Sequence, residues 1–178
     1  MKASYLRRSI TLGFHPTSRG FGWAAFEGPF SVYDSGLFTC QRDKNPKCLR
    51  KVEKLLDRLQ PDTLVLEAFD KRSSIRSTRI RRLCLSVVSM AAERGLEVAV
   101  YSRNDVRACF ASVGARTRDE VAEAVSRHVQ GLHHRLPKKR GAGDSEDKRL
   151  AMFCAAALVI AHCSSGSLET LKGILEGR

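Results

Sequence analysis

The sequence predicts an α/β protein, a single mixed five-stranded sheet flanked by helices. Two observations carry this. Three strand-like segments come first, separated by turn residues, and helix-like and strand-like segments then alternate. A meander followed by a strand–helix–strand half makes a sheet that is antiparallel on one side and parallel on the other. Length agrees: 178 residues suit one domain, expected over residues 1–163 with a tail at 164–178.

Each element has its own justification. Ser9 to Phe14 is β-branched and apolar and runs into His15-Pro16, a strand that stops at a turn. Gly20 to Phe26 and Ser31 to Thr39 read as the next two strands, with Gly28-Pro29 as the hairpin turn between them. In Lys47 to Leu59, Val52, Leu55, Leu56 and Leu59 recur at helical spacing, and Pro61-Asp62 ends the helix. Thr63 to Leu66 is a short apolar run leading into Glu67, as in a strand buried on both faces. Ile75 to Arg94 carries Ile80, Leu83, Val87 and Met90 or Ala91 on one face, closed by Gly95. Leu96 to Tyr101 is a fifth strand. Thr117-Arg-Asp-Glu120 is a capping box opening a helix to about Val129. Arg135 to Gly143 reads as a basic loop, and Asp144 to Cys163 as a final, mostly apolar helix.

Charge narrows the class of partner. Lys and Arg total 31 against 19 Asp and Glu, a net charge of +12. Such an excess points to a polyanion, nucleic acid before an anionic membrane. No apolar run reaches the ~20 residues of a membrane-spanning helix, and the N-terminus lacks a signal-peptide core. The six cysteines form no CxxC pair, and Cys84, Cys109 and Cys154 sit among apolar neighbours. A reducing, cytoplasmic setting is therefore expected.

Acidic residues are scarce, so their positions matter. Glu67 stands at the C-terminal end of a strand, where sites collect in sheets with parallel connections. Asp144 and Asp147 are spaced i and i+3, which on a helix puts both on one face, while Glu146 points elsewhere. The two aspartates equally suit the start of a helix as complements to its dipole. Carboxylates beside a basic surface suggest divalent-metal chemistry on phosphodiesters, with Mg²⁺ or Mn²⁺ as the hard-oxygen-loving ions.

Four segments resemble one family. Thr11 to Trp23 (TLGFHPTSRGFGW) is similar to the first-strand signature of RuvC-type Holliday-junction resolvases, apolar-Gly-apolar-Asp-Pro-Gly and then Gly-x-Gly. Pro61 to Glu67 (PDTLVLE) resembles the family's fourth strand with its catalytic Glu. Val106 to Val121 resembles the segment before a later helix. Asp144-Ser-Glu-Asp147, followed by an alanine-rich helix closing on Ile160-Ala-His-Cys163, resembles the last aspartate pair. The resemblance implies an RNase H-like fold, a divalent-metal endonuclease and a homodimer acting on branched DNA. His15, Glu67, Asp144 and Asp147 would be its catalytic and metal-binding residues.

His15 stands where the family has its first catalytic Asp, and Thr17 replaces the Gly after the Pro. A neutral imidazole can ligate one ion through nitrogen, but it cannot bridge two as a carboxylate does, and it favours later first-row ions over Mg²⁺. Three outcomes stay open: His15 ligates one ion in an altered nuclease, the site is silent and the protein only binds nucleic acid, or Asp70 or Asp34 takes the vacant role. A nuclease for RNA or RNA–DNA hybrids is a further alternative.

Two basic runs flank these carboxylates. Lys71, Arg72, Arg76, Arg79, Arg81 and Arg82 lie within twelve residues that contain no acid, with Ser73, Ser74, Ser77 and Thr78 among them. On a helix Arg72, Arg76, Arg79 and Arg82 would share a face. Arg135, Lys138, Lys139 and Arg140 precede Asp144. Placed so, Lys71, Arg72, Arg76, Arg79, Arg82, Lys138, Lys139 and Arg140 are expected to contact phosphates.

Overall fold

The computed structural model describes residues 8–71, 76–139, 141, 143 and 146–165. Three strands open the chain: β1 (Ile10–Pro16), β2 (Gly20–Glu27) and β3 (Val32–Thr39). Then follow α1 (Lys44–Leu59), β4 (Thr63–Glu67), α2 (Thr78–Glu93) and β5 (Glu97–Tyr101). The helices α3 (Arg103–Phe110), α4 (Arg118–His128) and α5 (Leu150–Ser165) complete the fold. The strands form one sheet in the order β3-β2-β1-β4-β5. Pairings on the β1–β2–β3 side are antiparallel and those of β1–β4 and β4–β5 parallel, the mixed five-stranded sheet that the sequence predicts.

Helices cover both faces. Leu12, Phe14, Phe21, Trp23, Leu64 and Leu66 pack with α1 and α2, while Ala24 and Phe26 pack with α4 and α5. Alternation along each strand assigns its residues to the two layers. Helix α5 is buried almost all round, as an apolar helix with no charged face must be. It sits close against the sheet because β1 and β2 present glycine to it. A Cβ on Gly13 would overlap the Ala155 carbonyl, and one on Gly22 the backbone of Ala151 and Met152.

Several boundaries differ from expectation. Helix α2 begins at Thr78, not Ile75, with the Ser77 side chain accepting the Ile80 N–H. Arg76 therefore precedes the helix, so the shared basic face is not formed as expected. Helix α5 begins at Leu150, not Asp144, so Asp147 lies in the turn before it. Helix α3, absent from the sequence reading, starts at a Ser102–Asp105 capping box. The Thr117–Glu120 box opens α4 as predicted, and Gly95 closes α2 at φ 71°. The six cysteines are free thiols. Cys84 is buried, Cys109 and Cys154 are only partly so, and Cys48 is fully covered. No helix among the described residues is long and apolar enough to cross a membrane.

Candidate active site

The parallel register of β1 and β4 places Phe14 beside Leu66, and the next residue on each strand is His15 and Glu67. Leu12, Phe14, Leu64 and Leu66 face α1 and α2, so alternation turns His15 and Glu67 toward the α5 layer. The His15 Nδ1 lies 3.8 Å from a Glu67 carboxylate oxygen, Oε2. That is too long for a hydrogen bond, and the buried Nδ1 makes none. Burial, and then the charges of Arg76, Arg118 and Arg103, hold the imidazole well below its ordinary pKa. His15 is consequently neutral at pH 7.

Arginines surround this pair. Arg76 and Arg103 each reach the other Glu67 oxygen, Oε1, at 3.3 Å. Arg76 also donates to the Pro16 carbonyl at 3.1 Å. Arg103 arrives from the other side: Glu67 pairs with Tyr101 on β5, and α3 begins two residues later. Arg118, at the start of α4, pairs with Glu146 at 3.2 Å.

A cleft of about 480 Å³ opens beside His15, lined by Arg19, Arg76, Arg118, Glu146, Asp147 and Lys148 among others. Asp147 thus shares a cleft with His15, but its carboxylate is engaged by Arg149. It accepts the Arg149 backbone N–H at 2.8 Å and the guanidinium at 2.8 and 3.1 Å. The Arg149 guanidinium, as hydrogen-bond donor, draws the Asp147 pKa below the usual carboxylate range.

Asp144, Arg72 and Arg140, with Ser73 and Ser74, lie outside the described residues. Asp34 is engaged by Arg58 at 2.6 Å. Of the basic residues singled out, Lys71, Arg82, Lys138 and Lys139 are exposed. Arg79 instead binds inward, to Asn45 and to the Thr17 and Ser18 carbonyls. Lys139 reaches Glu123 at 3.2 Å. Sequence reasoning passed over Arg103, Arg118 and Glu146. The signal for Arg103 was the Ser102-x-x-Asp105 pattern directly after β5. Glu146 was set aside on the geometry of a helix that starts only at Leu150.

The residues present fit a divalent cation in two donors. The Nδ1 without a hydrogen bond and the Glu67 oxygen facing it form a nitrogen–oxygen pair suited to a first-row ion. Among the described residues no three His, Cys, Asp or Glu side chains converge to hold one. The guanidinium groups beside the pair supply the complementary capacity, bidentate recognition of phosphate.

No family model matches this sequence. Two curated relatives, both named crossover junction endodeoxyribonuclease RuvC, are similar to it. The protein from Chlorobium chlorochromatii is 26% identical over 145 residues, 76% of this chain and 74% of the relative. That from Cereibacter sphaeroides is 25% identical over 168 residues, 89% and 94% of the two chains. Among solved structures, Thermus thermophilus RuvC superposes with a TM-score of 0.63 at 18% identity, covering 90% of this chain and 97% of that one. The same protein in complex with a Holliday junction substrate gives 0.63 at 16% identity over 91% and 97%. The fold is RNase H-like, of the RuvC type, and the resemblance seen in the four sequence segments extends along most of the chain.

Proposed function

We propose that this protein is a divalent-metal-dependent, structure-selective endonuclease that hydrolyses phosphodiester bonds of branched DNA. The reading rests on one juxtaposition. His15 and Glu67 meet at the ends of two parallel strands, under arginines, in a fold of the RuvC type. His15 and Glu67 would hold the cation, with Asp147 and Asp144 completing its shell. A bound cation lowers the pKa of its water and stabilises the leaving oxygen. Arg103 and Arg118 orient the phosphate, and Arg76 fixes Glu67 against the Pro16 carbonyl. The imidazole donor favours Mn²⁺ over Mg²⁺. A homodimer, with one site per crossing strand, suits a four-way junction, and the cytoplasm suits the free thiols.

The test is cleavage of a four-way junction with Mg²⁺ or Mn²⁺, using a linear duplex and an RNA–DNA hybrid as controls. Glu67→Gln keeps the shape and removes the charge, and is expected to lower the rate by at least about 10³-fold while junction binding persists. A second reading, a binder that does not cut, is favoured by the two guanidinium groups on Glu67. Salt-sensitive junction binding with no cleavage under either ion selects it.

A further inference from the structure

Arg76 and Arg103 hold the same oxygen of Glu67 but are held very differently themselves. The Arg76 side chain is 10% exposed and has a second anchor on the Pro16 carbonyl. The Arg103 side chain is 45% exposed, and Glu67 is its polar partner. It stands at the first position of α3, on the rim of a groove that Arg107, Arg116 and Arg118 also line. The Glu67 side chain is 12% exposed, so the arginine is the end of this pair that solvent and a competing anion can reach. A phosphate entering the groove offers Arg103 a bidentate partner of higher charge.

We infer that Arg103 is an exchangeable shield on Glu67, which a DNA phosphate draws away, so that occupancy of this groove by DNA strengthens cation binding at the His15–Glu67 pair. This rests on the nuclease reading above and adds an order of events to it. With Arg103 in place, a cation approaching Glu67 meets the positive charge of two guanidinium groups, and with Arg103 on a phosphate it meets one. Linkage makes the effect reciprocal: the cation must tighten DNA binding by the factor by which DNA tightens cation binding. Toward the cation Arg103 is therefore a positioning residue, acting through Glu67, while its own ligand is the phosphate.

Mn²⁺ binding to the full-length, DNA-free protein, read from the electron paramagnetic resonance signal of the free ion, tests this. Arg103→Ala, and Arg103→Gln with its longer stem, are expected to bind Mn²⁺ about tenfold more tightly than the parent. Arg107→Ala removes a charge from the same groove without touching Glu67, and is expected to change affinity by less than about twofold. The parent's junction affinity should rise with Mn²⁺, and the rise should shrink in Arg103→Ala. Equal Mn²⁺ affinity in parent and Arg103 variants, equal gains in the Arg103 and Arg107 variants, or no Mn²⁺ binding by any of them overturns the inference. Failure of the nuclease reading looks different, since the parent would then leave the junction uncut under either ion, whatever its Mn²⁺ affinity.

Discussion

At the scale of single residues, His15 decides what the site can do. It is 4% exposed, and burial with the charges of Arg76, Arg118 and Arg103 keeps it neutral. An aspartate placed there would find its charge compensated by the same three guanidinium groups. His15→Asp is therefore expected to fold, to raise Mg²⁺-supported cleavage by about tenfold, and to reduce the preference for Mn²⁺. Parallel cleavage assays with the two ions check this, and an unchanged ion preference would remove His15 from the site. That His15 and Glu67 belong together was foreshadowed in the sequence, Glu67 by its place at the end of an apolar strand and His15 by the family resemblance, and the two do meet at 3.8 Å. The surroundings of Glu67 were not foreshadowed. Arg76 and Arg103 are nine and thirty-six residues away from it in sequence, and only strand order and register bring them to one oxygen.

At the scale of elements, caps locate helices more reliably than apolar spacing does in this chain. The Thr117 side chain accepts the Glu120 N–H, and the Glu120 carboxylate accepts the Arg116 and Thr117 N–H groups. Thr117→Ala is expected to cost about 1 kcal/mol, measured as a lower urea midpoint with an unchanged slope. The same logic would have revealed α3, since Ser102 and Asp105 form a second box and Val106, Cys109 and Phe110 follow at helical spacing. The start of α5 was misplaced for a local reason. Glu146, Asp147, Lys148 and Arg149 look like a charged first turn, yet the Asp147 carboxylate takes the Arg149 N–H and holds the chain in a turn until Leu150. Helix α2 shows the converse. Arg79 lies in its first turn, where a cation gains nothing from the dipole, and it serves instead to tie down the β1–β2 turn.

At the scale of the whole molecule, the charge of +12 becomes a statement about binding. If about six phosphates are neutralised, junction affinity should fall by roughly 10³-fold between 50 and 200 mM salt. A titration by fluorescence anisotropy reads this slope, and a flat one would rule out a backbone-driven interface. The mixed sheet was also legible, because a meander followed by strand–helix–strand leaves few arrangements open, although the order β3-β2-β1-β4-β5 came only from the structure.

One feature of the architecture bears on how the protein is made. Helix α5 fills the layer over β1 and β2, seated on Gly13 and Gly22, yet it is the last described element of the chain. During synthesis the meander is complete long before its cover exists. At about 5–20 residues per second, the interval from the end of β2 to the end of α5 is roughly 7–28 s. Through that time Ala24 and Phe26 lack the α5 side chains that complete their core, and α4, made earlier, covers only part of that side. Side-chain changes that weaken the seat of α5 would thus be paid first in nascent-chain aggregation, before any loss of native stability is measured.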